Sequence, residues 1–301
     1  MPRPVLRAAV SVGLLVTAWA LVALPARATV NARTTADEPQ YLLSALSLAE
    51  DHDLTIGDEL AAQRYLPFHE VGLPIQTQVL DGGRQISPHD PLLPMLLAVP
   101  MGLGGWVAAK TALAVLAGVL AGLLVWTAHR RFAVPLPVAA GTVLAFGVTA
   151  PLTAYATQVY PELPAALAVT VAIATLTGAR RRAELVGFLL AVVALPWLGV
   201  KYVPVAAALV AVAGWLLMAD GRVRAAVKLG AGLAAMGLAY VVAHRLLYGG
   251  WTVYAAGAGP RRRGRVRPGG SRASTPPGRS RGRAAGPRPA GSGRCGRGDR
   301  P

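Results

Sequence analysis

Residues 8–26, AAVSVGLLVTAWALVALPA, form a run of 19 residues without a charged side chain, between Arg7 and Arg27. At a rise of about 1.5 Å per residue, a helix of this length crosses most of the hydrocarbon core of a bilayer. We therefore predict a first transmembrane helix here. The basic residues before the run also fit the start of a signal peptide cleaved after Ala28. Both interpretations place the chain after Ala28 outside the cytoplasm.

The rest of the chain has a similar composition. Of its 301 residues, 54% are hydrophobic and 15% are charged, a balance typical of membrane proteins rather than soluble ones. The sequence predicts an all-α polytopic membrane protein with about seven transmembrane helices, located in the plasma membrane. After the first, the apolar segments that suit such helices lie at 106–128, 134–152, 161–178, 184–200, 203–219 and 228–246.

Basic residues predict the orientation of these helices. Lys and Arg in short loops favour the cytoplasmic side, and ten of them fall on alternate connections, at 3–7, 130–131, 180–182 and 222–228. The N-terminus is therefore expected in the cytoplasm, and the first loop outside it. The apolar stretch 91–105 is short and interrupted by prolines and glycines, which indicates an interfacial or re-entrant segment.

The first outer loop is acidic, with ten acidic residues and two arginines between positions 37 and 90. Its first part, DEPQYLLSALSLAEDHD at 37–53, has apolar residues at helical spacing and a proline in the first turn. This pattern predicts an amphipathic helix on the outer membrane surface. We interpret several other acidic residues of the loop as solvated charges: Asp53, Asp58, Glu59 and Asp81.

Two interpretations of the acidic pair Asp37 and Glu38 are open. Asp37 fits an N-cap and Glu38 a favourable charge in the first helical turn. A carboxylate at the lipid–water boundary also fits a general base towards an acceptor hydroxyl, with its pKa raised by partial desolvation. The spacing of the two residues is the same in both cases.

A series of short motifs follows the first helix. They are DEPQYL at 37–42, DHDL at 51–54, HDPLLP at 89–94, YPE at 160–162, LPW at 195–197 and KY at 201–202. In this order, over about residues 5–257, the motifs resemble those of bacterial GT-C glycosyltransferases, which are related to protein O-mannosyltransferases and to the lipid A aminoarabinose transferase. The resemblance implies transfer of a sugar from a polyprenyl-phosphate carrier, at the outer membrane face, to an extracytoplasmic glycan, lipid or protein.

The resemblance also implies roles for individual residues. In such enzymes the acidic pair supplies the catalytic carboxylate, so Asp37 is the first candidate for the general base and Glu38 the second. The acceptor displaces the lipid phosphate directly and the configuration inverts. The leaving phosphate needs a cation or hydrogen-bond donors, and Lys201, beside Tyr202, suits that role. The weaker candidates are Arg84, His89 and Arg245.

Several of these residues have a second interpretation. Lys201 also fits a side chain that reaches from a helix end to the lipid headgroups. Glu162, at the outer start of a predicted helix, fits either a substrate contact or a favourable first-turn charge. We select Trp197 for contact with a sugar ring, whereas the other tryptophans near span ends fit interfacial anchors. No cofactor is established; the loop carboxylates offer ligands for a divalent metal, but no spacing is diagnostic of a metal site.

The tail at 259–301 differs from the rest of the chain. From residue 260 onwards, 13 arginines and one aspartate contribute +12 to the formal net charge of +16. This composition, dominated by Arg, Gly and Pro, predicts a disordered tail. It has no aromatic residue for stacking on bases, so we expect no nucleic-acid partner, and a lipid tether outside the cell conflicts with the predicted orientation. We favour a shift of reading frame near Ala258, which implies a truncated and inactive enzyme as one outcome.

The sequence therefore predicts four regions and two classes of function. The regions are a signal-anchor helix at 1–28, an extracytoplasmic loop at 29–105, a helical bundle at 106–258 and the tail at 259–301. The favoured function is that of a hexosyltransferase in contact with membrane lipids. The alternative is a transporter or lipid-handling protein, which would bind its substrate at broken helices near the membrane midplane.

Overall fold

The computed structural model of the chain describes residues 3–257. The predictions for the tail, its disorder and its shifted frame, lie outside the described residues. Within the described range the chain is helical and forms no β-strand. Its α-helices are α1 (Arg3–Ala23), α2 (Glu38–Glu50), α3 (Gly57–Ala61), α4 (Leu92–Phe132), α5 (Leu136–Gly147), α6 (Leu152–Thr157), α7 (Glu162–Leu176), α8 (Arg182–Leu198), α9 (Val203–Ala219) and α10 (Val223–Tyr248).

Four helical segments of the described range are long and apolar enough to cross a membrane: α1, α4, Val200–Ala219 and Val223–Ala256. The predicted all-α class is confirmed, and these four segments are compatible with a membrane protein. A helix lies in each of the other three predicted spans, but α5, α7 and α8 have 12, 15 and 17 residues. They rise roughly 18, 22 and 26 Å, less than the hydrocarbon core of about 30 Å. The count of seven spans stays a prediction.

Helix α4 is broken at two consecutive glycines. Gly104 has φ −156° and Gly105 has φ 64° and ψ −158°, whereas the residues on both sides are helical. The second conformation is accessible almost only to glycine. The break coincides with the boundary that the sequence predicted between the segment 91–105 and the following span. The first part of α4 is a helix in its own right.

The longest interface of the described chain joins α1 to α4. Small residues allow the two backbones to approach closely, as in many membrane helix pairs. A Cβ atom built at Gly118 would lie 2.5 Å from the carbonyl oxygen of Gly13, and one built at Gly122 would lie 2.9 Å from that of Ala9. Glycine at these two positions of α4 is therefore required by the packing.

Helix α2 is buried rather than amphipathic. Every residue from Glu38 to Ser47 is buried, and the helix packs extensively against α4. The prediction of a helix here is confirmed, but the prediction of a surface helix with a solvated face is wrong. The physical reason is that the outer loop covers the polar face: Ser47 donates hydrogen bonds to the backbone oxygen of Thr55 at 2.8 Å and to the carboxylate of Asp53 at 3.0 Å.

The loops that carry the arginine clusters meet at one end of the helical bundle. Arg131, in the last turn of α4, lies 3.0 Å from Glu184 in the first turn of α8. Arg180, before α8, forms an ion pair of 2.5 Å with Asp220, after α9. The sequence predicted that these loops share one side, and their contacts agree with that; which side of a membrane they face stays a prediction.

Candidate functional site

A pocket of about 150 Å³ lies at the other end of the bundle. Helix α8 runs between the two ends, since Glu184 in its first turn contacts the arginine loops and Leu198, its last residue, lines the pocket. The start of α2, the loop before α4 and the residue before α7 meet there. The pocket is lined by Asp37, Tyr41, Pro88, His89, Asp90, Pro161, Leu198, Gly199, Val200, Lys201, Val253 and Tyr254.

Asp37 precedes α2 and directs its side chain to this pocket. Its carboxylate makes no capping hydrogen bond to the helix, so the N-cap interpretation is wrong for the side chain. Instead, Gln76 donates a hydrogen bond of 3.2 Å to Oδ1, and Oδ2 lies 3.5 Å from Nε2 of His89. The side chain is 45% exposed, which leaves room for a ligand to reach it.

The environment lowers the pKa of Asp37 below its usual value. The hydrogen bond from His89 is the largest cause and the charge of His89 adds to it, whereas partial burial opposes them. The sequence led us to expect a pKa raised by desolvation. That expectation is wrong, because the desolvation is present but the contact with His89 outweighs it. Asp37 is therefore a carboxylate at neutral pH, ready to accept a proton or a hydrogen bond.

Two neighbours hold the ring of His89 in place. The hydroxyl of Ser87 lies 2.7 Å from Nδ1 of His89, and the ring of Tyr41 packs against the imidazole with 4.7 Å between centroids. The other nitrogen, Nε2, is thereby directed at Asp37. His89, predicted as a substrate contact, is placed beside the candidate base.

Lys201 brings a positive charge to the same pocket. Its ammonium group forms an ion pair of 2.5 Å with Glu162 at the start of α7 and lies 5.3 Å from the centroid of the Tyr202 ring. The Lys201 side chain is 56% exposed. In the described part of the chain, the second carboxylate oxygen of Glu162 and the hydroxyl of Tyr202 are buried without a hydrogen-bond partner. Two predicted site residues, Glu162 and Tyr202, thus contact the Lys201 cation.

Glu38 points away from the pocket into the protein interior. It is fully buried and accepts hydrogen bonds from the backbone N–H groups of Thr35 at 3.0 Å and Val159 at 2.8 Å. The ammonium group of Lys110, buried in α4, lies 3.5 Å from the same carboxylate. Lys110 also donates to the backbone oxygen of Arg33 at 3.1 Å. These contacts fix the turn that carries Asp37, and they leave Asp37 as the better placed carboxylate for chemistry.

Sequence reasoning missed Lys110, although a signal was present. A lysine inside a span-length apolar helix is costly unless it has a partner, so its position alone points to a buried counter-ion. Nothing in the sequence pairs it with Glu38, 72 positions earlier in the chain, because only the packing of α2 on α4 brings the two together.

A second buried network, also missed, supports the segment of Lys201. Asp90 accepts hydrogen bonds of 3.2 Å from the backbone N–H of Val200 and from the hydroxyl of Tyr240. Nε2 of His244 lies 3.2 Å from the same carboxylate, and Nδ1 lies 2.8 Å from the backbone oxygen of Tyr240. The sequence contains a signal for this network, because Tyr240, His244 and Tyr248 are four residues apart and therefore lie on one face of α10.

Like Glu162 and Tyr202, the remaining predicted site residues are not part of the pocket lining. Arg84 follows the 3₁₀ helix Asp81–Gly83 in the outer loop. The ring of Trp197 packs edge-on against Tyr240, with 5.3 Å between centroids, and lines an apolar groove between α8, α9 and α10. Arg245 lies over the ring of Trp251 at 4.5 Å. The structure therefore brings together Asp37, His89, Glu162, Lys201 and Tyr202, and leaves these three apart.

The described residues thus define a class: an all-helical protein with four candidate membrane spans, in which the side chains of Asp37, His89, Asp90 and Lys201 line one pocket at an end of the bundle. Comparison of the chain with protein-family models, curated proteins and solved structures found no match.

Proposed function

We propose that this protein is an integral membrane glycosyltransferase, which transfers a sugar from a polyprenyl-phosphate carrier to an extracytoplasmic acceptor hydroxyl. The observation that carries the proposal is the pocket that Asp37 and Lys201 share. Glycosyl transfer with a phosphate leaving group needs a proton acceptor for the attacking hydroxyl and a positive charge that stabilises the departing phosphate. These two groups meet although they are 164 positions apart in the sequence.

In the proposed reaction the acceptor oxygen attacks the anomeric carbon while its proton passes to the Asp37 carboxylate. The bond between the anomeric carbon and the phosphate oxygen breaks, and the lipid phosphate leaves with the bonding electrons. Attack from the opposite face inverts the configuration. His89 orients Asp37 and keeps it ionised before the acceptor binds.

The leaving phosphate is stabilised by Lys201. In the free protein the ammonium group is paired with Glu162, but Lys201 is more than half exposed. Exposed ion pairs contribute little, typically below about 1 kcal/mol, so a phosphate can compete for the cation. The ring of Tyr202 lies beside this cation, with its centroid 5.3 Å from the ammonium nitrogen. Trp197 lines an apolar groove next to Val203, a location that suits the prenyl chain of the donor better than its sugar.

The proposed topology has seven spans in the plasma membrane, a cytoplasmic N-terminus and an extracytoplasmic pocket. Its support is that the arginine loops meet at the bundle end opposite to the pocket, as the preference of Arg for the cytoplasmic side requires. The partners are then the lipid-linked sugar donor, an extracytoplasmic glycan, lipid or protein as acceptor, and membrane lipids.

The alternative is a transporter without glycosyl transfer. Its specific support is the break of α4 at Gly104 and Gly105, because transporters bind substrates at interrupted helices. The ionisable groups described above gather at Asp37 and Lys201 instead. We therefore favour the enzyme.

The test is sugar transfer in membranes, with radiolabelled polyprenyl-phosphate sugars as donors. We expect Asp37→Asn to lower the transfer rate by about 10²-fold to 10⁴-fold, the usual contribution of a general base. The matched control is Asp81→Asn, which removes one negative charge from an exposed position of the same loop and should leave the rate unchanged. Equal rates for the two variants contradict the role of Asp37. No transfer from any donor by verified, inserted protein favours the transporter.

A further inference from the structure

Three carboxylates of the outer loop converge next to the end of α2. Asp51 is the residue that follows this helix, and Asp58 and Glu59 belong to α3. Each offers one oxygen, and these oxygens all lie within 4.8 Å of one another. Calcium binds carboxylate oxygens at about 2.3–2.6 Å, so a single ion can contact oxygens that are about 5 Å apart.

Glu59 distinguishes this cluster from an ordinary group of surface charges. The residue is only 3% exposed, and in the described part of the chain neither of its carboxylate oxygens has a hydrogen-bond partner. The sequence led us to expect a solvated side chain, and that expectation is wrong. A buried carboxylate without a partner is strongly unfavourable. Its oxygen is directed at the other two carboxylates, which makes a bound cation the natural partner.

Residues 3–257, which the structure describes, supply too little positive charge for this cluster. The nearby guanidinium group is that of Arg64, and it is already bonded to both oxygens of Glu50, at 2.8 and 3.0 Å. Among the described residues, one cation therefore faces four carboxylates, those of Glu50, Asp51, Asp58 and Glu59. Asp51 and Asp58 are exposed, so an ion can enter from solvent and complete its coordination with water.

We propose that Asp51, Asp58 and Glu59 form a calcium site that fastens the end of α2 to α3. Calcium fits better than magnesium, because it accepts irregular oxygen coordination, whereas magnesium demands near-ideal octahedral geometry and loses water reluctantly. In a loop outside the cell, an affinity between about 0.1 and 1 mM is sufficient for binding. This site is distinct from the pocket at Asp37 and does not depend on sugar transfer, but its expected affinity rests on the proposed extracytoplasmic location of the loop.

The experiment uses the full chain in detergent micelles. Equilibrium dialysis with ⁴⁵Ca²⁺ should detect one saturable ion per chain that is absent from Glu59→Gln and at least tenfold weaker in Asp51→Asn. Asp81→Asn, which changes the charge equally at an exposed position, should bind as the wild type does. Because Asp51 is exposed, its variant tests the site even where a change at buried Glu59 disturbs folding.

Thermal unfolding gives a second readout, because calcium should stabilise the wild type but not the Glu59→Gln variant. Calcium at 10 mM should raise the unfolding midpoint of the wild type by about 3 °C or more relative to EGTA and should leave that of Glu59→Gln unchanged. In EGTA the Glu59→Gln variant should be at least as stable as the wild type, since glutamine fills the same buried space without placing a negative charge beside Asp51 and Asp58. Unchanged binding in Glu59→Gln and Asp51→Asn, or absence of saturable binding below 10 mM, overturns the site. An equal effect of magnesium overturns the assignment to calcium.

Discussion

At the pocket, Nε2 of His89 lies 3.5 Å from the Asp37 carboxylate, and this contact decides how that carboxylate titrates. Partial burial alone would raise the pKa of Asp37, but the hydrogen bond and charge of His89 lower it. A general base that is ionised over the whole physiological pH range does not have to lose a proton before it can act. It accepts the proton only as the new bond forms.

His89→Ala should move the acidic limb of the pH–rate profile to higher pH. The pKa of Asp37 is lowered in the native site, so the active carboxylate is lost only as pH falls below about 4, the usual value for Asp. Without His89, desolvation remains and raises the pKa, so activity is lost at a higher pH. The measurement is kcat/KM against pH, with each variant normalised to its own plateau.

Gln76→Ala is the matched control for this profile. Gln76 also donates a hydrogen bond to Asp37, but it is a smaller cause of the lowered pKa than His89. The acidic limb of the Gln76→Ala profile should therefore shift to higher pH as well, but by less than that of His89→Ala. A profile of His89→Ala that coincides with that of the wild type contradicts the coupling between imidazole and carboxylate.

Among the elements, α2 and α4 are joined by the buried pair of Glu38 and Lys110. This pair fixes the turn before α2, so it positions Asp37 without contacting the pocket. Both side chains are almost completely buried, at 0% and 2% exposure. Because neither charge can be solvated, each depends on the other.

We expect Glu38→Gln or Lys110→Met to destabilise the protein by about 3–5 kcal/mol each, because each leaves an uncompensated buried charge. The double variant should recover most of this loss. Denaturation midpoints in detergent measure the effect. The control is Glu50→Gln, which breaks the exposed pair with Arg64 and should change stability by less than about 1 kcal/mol. Additive losses in the double variant would show that the two charges do not interact.

For the whole molecule, the pocket and the arginine loops lie at opposite ends of the bundle, and the proposed orientation places them on opposite sides of the membrane. The chain has one cysteine, Cys295, which a Cys295→Ser background removes. In this background, Asp81→Cys should react with an impermeant maleimide on intact cells. Arg224→Cys, equally exposed in the folded chain, should react only after permeabilisation. The reverse pattern contradicts the proposed orientation.

Much of the helix placement was predictable from the sequence. Runs such as residues 8–26 have too few polar groups to satisfy a non-helical backbone in an apolar environment, and helices lie in all seven predicted segments. The position of the break in α4 was also predictable, because Gly104 and Gly105 interrupt the apolar run. The solvated face of α2 was wrongly predicted, since periodicity shows which residues are polar but not what covers them.

The candidate site was predictable in part. Motif positions selected Asp37, His89, Glu162 and Lys201, and the structure groups them in one place. The separate roles of Asp37 and Glu38 were not predictable, because two adjacent carboxylates have the same local pattern. Their roles differ only because α4 presents Lys110 to one of them and the loop before it presents His89 to the other.

The sequence by itself determined the helical class, the positions of the apolar segments and the loops that carry the arginines, because these follow from local composition and spacing. Tertiary structure decided which polar groups meet: Glu38 with Lys110, Asp90 with His244, and Glu59 with Asp51 and Asp58. The physical reason is that a buried charge is stabilised by its neighbours in space, and those neighbours come from distant parts of the chain. Local patterns cannot specify such pairs until the helices have packed.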